Sequence, residues 1–184
     1  MQKGDFQRGL KRAKLIPIVK PGKEESEEVT NVRPISLLNV EGKIMKKTLI
    51  SIINYWSYST SFLNNNQYGF TTQRSIIDAA MAVKYIIDEG LKAGEVVILV
   101  CLDIRTGFDT AWWTNILKSL QDFGCPKNLY YLIKSYFNQG TAILSTNSIK
   151  KQRSISRGCP QGSCLGSGQC NIQYNSLLNL NFAI

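Results

Sequence analysis

Asp103 follows the longest apolar run of the chain, Val96 to Leu102. An ionised carboxylate in such a place is costly unless it is paired or ligated. At the carboxyl end of a central strand it can point into a cleft and hold a hard cation. Magnesium, which favours a few carboxylates plus phosphate oxygens, fits that description. The competing reading is an aspartate that ends the strand and caps the next turn. Phe108 and Asp109 follow closely. Phe108 can simply fill core, and Asp109 is placed as a helix N-cap. The second reactive stretch is Gly158-Cys-Pro-Gln-Gly-Ser163. One rigid and two permissive residues surround a planar amide here. Gly162 lets backbone approach a ligand closely, and Gln161 offers a donor and an acceptor to a base or sugar. Alone, this hexapeptide is equally an ordinary loop entering a helix capped by Ser163.

Cations accompany both stretches. Lys20 and Arg33 flank a charged loop, each at the edge of a predicted strand. If those strands pair, both side chains can reach one phosphate cluster; otherwise they are solvated surface charges. Arg74 precedes a capped helix and can bind phosphate at its N-terminus or face water. The formal net charge of the chain is +9. Lys3, Arg8, Lys11, Arg12, Lys14, Lys20 and Lys23 crowd the start against Asp5 alone, and no acid follows Asp122. Lys150, Lys151, Arg153 and Arg157 stand in that acid-free part. Two basic ends point to a polyanionic partner, most simply nucleic acid; solubility alone is the plainer reading.

These residues need elements to hold them. Residues 13–20 read as a strand that Pro17 pushes toward a sheet edge. Pro21-Gly22 breaks it, and a charged loop runs to Thr30. Residues 34–39 form a second extended piece. From Glu41 to Tyr58, Ile44, Met45, Leu49, Ile52, Ile53 and Trp56 fall on one helical face, with Lys43, Lys46 and Lys47 on the polar side. After an Asn- and Gln-rich loop, Ser75 caps a helix to about Leu91. Ile76, Ala79, Ala80, Val83, Ile86 and Ile87 face inward on it. Glu95 to Ile104 contains a continuous apolar run, Val96 to Leu102, which predicts a central strand covered on both faces. Helices follow from Asp109 or Thr110 to Phe123 and from Pro126 to Phe137. Thr141–Thr146 and Ile149–Arg157 form a hairpin across Asn147-Ser148, and a last helix starts near Ser163. The sum is one mixed α/β (α+β) unit without repeats or linkers.

Some classes fall away. The chain has 5 cysteines and no histidine. Cys101, Cys125, Cys159, Cys164 and Cys170 fit no zinc spacing. Cys101 belongs to the apolar strand and the others read as small, semi-buried residues. A reducing intracellular compartment without disulfides follows. The N-terminus has no apolar signal core, and no apolar run is long enough to cross a membrane.

Taken in order, the motifs resemble the reverse transcriptases of non-LTR retrotransposons, in particular the arthropod branches with jockey-like elements and elements inserted in ribosomal RNA genes. The resemblance runs from about Ala13 to Asn171. It rests on Ala-Lys-Leu-Ile-Pro-Ile-Val-Lys-Pro-Gly-Lys (13–23), Arg-Pro-Ile-Ser-Leu-Leu (33–38) and Gln-Tyr-Gly-Phe-Thr (67–71) with Arg74-Ser75. Leu-Asp-Ile (102–104), Phe-Asp (108–109) and Arg-Gly-Cys-Pro-Gln-Gly-Ser (157–163) complete it.

The resemblance implies roles. Asp103 would be the first metal-binding aspartate, with the Ile104 carbonyl helping to ligate. Phe108 would exclude a ribose 2′-hydroxyl, Gln161 and Gly162 would contact the incoming nucleotide, and Lys20 and Arg33 would grip its triphosphate. By charge and position rather than by the resemblance, Arg74, Lys150, Lys151, Arg153 and Arg157 are candidates to lie against nucleic acid. The implied chemistry is two-metal transfer, a primer 3′-hydroxyl attacking the α-phosphate as pyrophosphate leaves. Implied partners are an RNA template, a DNA primer and a dNTP, in a nuclear or cytoplasmic ribonucleoprotein. The implied fold is fingers (about 1–94) plus a partial right-hand palm (about 95–184), a mixed sheet with packed helices.

Departures accompany the likeness. Gln73 stands for an expected glycine, and Gly107 is a mild change before Phe-Asp. After Leu165-Gly166 the family shows Pro and then Leu-Trp-Asn, where this chain has Ser167-Gly-Gln-Cys-Asn171. The Tyr/Phe-Ala-Asp-Asp motif has no counterpart. The expectation is therefore a fragment truncated at both ends, with two Mg2+ ions bound only in a complete enzyme and no activity alone. The alternative is a non-enzymatic relic of a degenerate copy, at most an RNA-binding module.

Overall fold

A computed structural model of the chain describes residues 5–26, 28–104, 107–145 and 150–179. The first strand, β1 (Arg12–Val19), pairs antiparallel with β2 (Val32–Leu37), with Ile18 opposite Arg33 and Leu15 opposite Ser36. β1 also pairs in parallel with β3 (Thr141–Ser145), which pairs antiparallel with β4 (Lys150–Ser154). The sheet order is β2-β1-β3-β4. β1 is thus an interior strand, not the edge that Pro17 implied. The proline is tolerated because β3 pairs only with Arg12 to Leu15, which leaves that side of Pro17 open. The expected hairpin is present as β3 and β4, while its Asn147-Ser148 turn lies outside the described residues.

Helices pack beneath one face of this sheet. The helix α1 (Val40–Ser59) begins at Asn39, whose side chain accepts from the Gly42 N–H. The helices α4 (Trp113–Asp122), α5 (Lys127–Phe137) and α6 (Cys164–Tyr174) surround it, with α6 against both α1 and α4. Leu49, Ile53, Trp56, Ile116, Leu120, Ile133, Leu165 and Ile172 form the shared core. Burying each such side chain contributes about 1.5–3 kcal/mol. The sequence put Lys46 on the polar side of α1, but Lys46 is buried and Ile44 and Ile52 are exposed. The helix is rotated so that Gly42, Lys46, Leu49 and Ile53 face inward.

Two expected core elements are not core. The helix α2 (Ile76–Lys92) has the predicted Ser75 cap, with Asp78 closing a capping box. No residue of it is buried; Ile76 is 86% exposed, and Val83 and Ile86 are also exposed. The stretch from Glu95 to Ile104 forms no strand, and Leu102 is 87% exposed. Cys101 is exposed with it, as is Cys164, while Cys159 and Cys170 are buried and all five thiols are free. The inward face expected of α2 and the covered central strand expected at 95–104 are therefore both overturned: an apolar pattern marks a surface that wants a partner, not one that has it. Among the described residues no partner covers them.

The expected helix from Asp109 to Phe123 is split. A single turn, α3 (Gly107–Thr110), ends at Ala111, and α4 restarts at Trp113. Asp109 therefore lies inside a turn and caps nothing. Among the described residues, no helix is long and apolar enough to cross a membrane.

Candidate nucleotide and nucleic-acid site

The two reactive stretches of the sequence are tied together by backbone. Cys159 donates its N–H to the Phe108 carbonyl at 2.6 Å, and Gly158 donates to Ala111 at 2.7 Å. The Trp113 Nε1 donates to the Gly158 carbonyl at 2.8 Å. Gly158 has φ +94°, and a Cβ there would lie 3.0 Å from the Asp109 carbonyl. Only glycine meets both conditions without strain. The turn then reaches the sheet: the Ser36 N–H donates to the Gln161 carbonyl at 2.9 Å. Three separate motifs, 33–38, 108–113 and 157–163, thus meet at one knot on the outer edge of β2. Gln161 donates its amide to Asp109 Oδ1 at 3.4 Å. Gly162, at φ +89°, is exposed beside Ile35 and Ser36, and Ser163 caps α6 by accepting from Leu165.

A fourth motif joins through Phe108. Its ring is half-buried and meets Phe70 edge to face, 6.2 Å between centroids. The loop that carries Phe70 is fixed by Asn171, which donates to the Gly69 carbonyl at 2.9 Å and accepts from Gln67 at 3.2 Å. Asn175 anchors the preceding stretch by donating to Phe62 and accepting from the Asn64 N–H. The positioning role of Asn175 was not read from the sequence. Two asparagines four residues apart, Asn171 in α6 and Asn175 just after its end, were the available signal.

The strands β1 and β2 do pair, which sets Arg33 opposite Ile18, two residues before Lys20. Alternate residues share a face, so Arg12, Lys14, Ile16 and Ile18 line one side of β1, opposite Leu37, Ile35 and Arg33 of β2. Lys20 continues the alternation, its N–H donating to the Asn31 carbonyl and its Nζ to the Thr30 carbonyl at 2.8 Å. Lys150 lies on the same face of β4 by register. Ile18 is half-exposed and Leu37 nearly so, so this face is open, an apolar stripe rimmed by cations. Arg12 and Lys14, named in the sequence only as part of the basic N-terminal segment, share this face through their period-two spacing. Lys151 and Arg153 lie on the other face of β4 and are exposed, and Arg157 is exposed beside the turn.

Asp103 and Ile104 sit at the end of the unpaired stretch, both exposed. No group of three Asp, Glu, Cys or His side chains that could hold a metal occurs among the described residues. The chain's described residues therefore do not form a two-ion site. Arg74 donates to the Asn65 carbonyl and lies over the Tyr68 ring, 5.1 Å from its centroid. The helix N-terminus next to it is filled by Asp78, whose carboxyl is held below its ordinary range by hydrogen bonds from Ser75. An anion there would meet that carboxylate.

Residues 18–181 match the family described as reverse transcriptase (RNA-dependent DNA polymerase). The chain belongs to that family. Its relatives include the RNA-directed DNA polymerase from mobile element jockey of Drosophila melanogaster, 32% identical over 165 residues. That alignment covers 89% of this chain and 18% of the relative. The putative 115 kDa protein in the type-1 retrotransposable element R1DM of the same fly is 27% identical over 170 residues, covering 89% of this chain and 15% of the relative. The probable RNA-directed DNA polymerase from transposon BS is 28% identical over 162 residues, 88% of this chain and 18% of that protein. The resemblance drawn from the motifs agrees with these relatives, the jockey element among them. This reverse transcriptase chain spans less than a fifth of their length, and its mixed α/β fold is consistent with fingers and palm.

Proposed function

We propose that this chain is the nucleotide-gripping part of an RNA-directed DNA polymerase of a non-LTR retrotransposon, fingers with part of the palm. The observation that carries this reading is the knot of motifs 33–38, 108–113 and 157–163, with the Phe70 loop against it. Lys20 and Arg33, on one face of a β-ribbon, would hold a triphosphate. Gln161 and Gly162 would meet the nucleotide, and Phe108 would fill the space of a 2′-hydroxyl. The open basic face, Arg12 and Lys14 with Lys150, would take the RNA template or DNA primer through phosphate contacts. Asp103 and the Ile104 carbonyl would contribute to holding magnesium, whose role is to stabilise charge on the transferring phosphate. Partner carboxylates must come from outside the described residues. The work would be done in a nuclear or cytoplasmic ribonucleoprotein.

A second reading, a relic of a degenerate copy, has one specific observation behind it. Gln169 is 1% exposed, and both its amide oxygen and nitrogen lack a partner among the described residues. It stands in the segment that departs from the family pattern. A chimera separates the two readings: residues 18–181 replace the matching block of the Drosophila jockey polymerase, and RNA-templated primer extension is measured. The polymerase reading expects extension that is lost on Asp103→Ala. A folded chimera without activity, restored by Gln169→Leu, supports the relic; an active chimera that Asp103→Ala leaves active contradicts the assignment of Asp103.

A further inference from the structure

Beneath the sheet, on the face opposite Lys20 and Arg33, lies a cavity of about 220 Å3. Ala13, Leu15 and Ala142 roof it, and Trp113, Tyr136 and Ile155 form other walls. Two buried lysines, Lys11 and Lys46, line it. Lys11 is accounted for. Its Nζ donates to the Ser135 carbonyl at 2.5 Å, and the Ser135 hydroxyl carries on to Asp5. Lys46 is not. It is 2% exposed, its Nζ lies 4.9 Å from the Tyr136 ring centroid, and it has no hydrogen bond or carboxylate partner among the described residues. An unpaired buried ammonium is expensive, and an aromatic face returns only part of the cost. Burial pushes Lys46 down to about 8, with the nearby Cys164 sulfur acting in the opposite sense, so the group still carries its proton at neutral pH. Of the other charged groups on the wall, Arg157 adds a positive charge and Asp109, which accepts from the neutral Gln161 amide, a negative one.

We propose that this cavity binds a small apolar-bodied monoanion, an aromatic carboxylate or sulfonate whose acid group lies on the Lys46 ammonium. The inference does not rest on the polymerase reading. An apolar cavity of about 150 Å3 accepts benzene, so the space here suits a single ring bearing an acid group. Trp113 and Tyr136 offer it edge or face contacts. Arg157, exposed at the rim, favours entry of an anion.

Benzoate and its neutral analogue benzyl alcohol are titrated into the 184-residue protein by ligand-observed NMR. The wild type binds benzoate at least about tenfold more tightly than benzyl alcohol, the scale of one charge-assisted hydrogen bond. Lys46→Met removes that preference, and Lys43→Met, an exposed position on the same helix, keeps it. Equal binding of the two probes by the wild type, or no binding of benzoate, overturns the proposal without reference to any variant. So does a folded Lys46→Met protein that retains the benzoate preference.

Discussion

Gln169 and Lys46 are where side-chain chemistry and position disagree most. Gln169 has an orphaned buried amide, and such a group costs about 1–3 kcal/mol. Gln169→Leu, similar in size and apolar, should raise stability by about that amount, read as a higher melting temperature; an unchanged or lower value would mean that the amide is satisfied. Lys46 predicts a pH dependence. Its folded value is lowered to about 8 from 10.5. Below about pH 8 both states carry the proton. Above it the unfolded chain binds more protons than the folded one, so this group makes stability rise with pH up to about 10.5. The full span is on the order of 3 kcal/mol. Cys125, pushed up to about 11 by burial, and Cys159, held protonated by its hydrogen bond to Cys170 and by burial, act in the opposite sense. The readout is therefore the wild type minus Lys46→Met, whose stability difference should narrow from pH 7.5 to about 9.5. Parallel curves would mean that the lysine is not buried. Neither residue could be read correctly from sequence. A lysine on an amphipathic helix is assigned to water by type, and only the rotation of α1 against α6 puts Lys46 inside.

Elements whose signals are local were legible. Ser75 starts its helix as the capping residue expected, and the strand read at 13–20 is present as β1. The glycines and proline of 158–163 marked a constrained turn, and the structure uses that constraint to bring the turn against Phe108 and Ser36. What was not legible is which surfaces find cover, because that depends on partners distant in sequence. The stretch 95–104 and the apolar side of α2 have the composition of core and the exposure of surface. Hydrogen exchange should therefore find the amides from Val96 to Leu102 fast and those of α1 and α6 slow. Strong protection across 96–102 would show that the stretch is paired in solution. The same exposed run is an aggregation hazard. Asn171 ties one element to another, so Asn171→Ala should speed exchange at 67–70 while leaving β1 and β2 unchanged. Unaltered exchange at 67–70 would remove its anchoring role.

At the scale of the whole molecule, part of the positive charge gathers on one face of the sheet, while Lys151 and Arg153 lie on the other. A net charge of +9 with no acid beyond Asp122 could have been spread for solubility alone. Instead Arg12, Lys14, Arg33 and Lys150 fall on one side of the sheet by register, with isoleucines between them. Binding to single-stranded RNA should weaken linearly on a log–log scale with salt, by about 0.7 per phosphate contact. Arg12→Ala and Lys14→Ala should each lower that slope by about one contact. The central claim is that the β1–β2 ribbon and the turn it holds form a nucleotide grip. Its most direct test is equilibrium binding of a fluorescent deoxynucleoside triphosphate, with an RNA oligonucleotide measured beside it. The Lys20→Ala, Arg33→Ala double variant should lose about tenfold or more of triphosphate affinity, the scale of charge-assisted contacts, and clearly less of its RNA affinity. Equal loss of both ligands, or unchanged triphosphate binding in a folded variant, would contradict it.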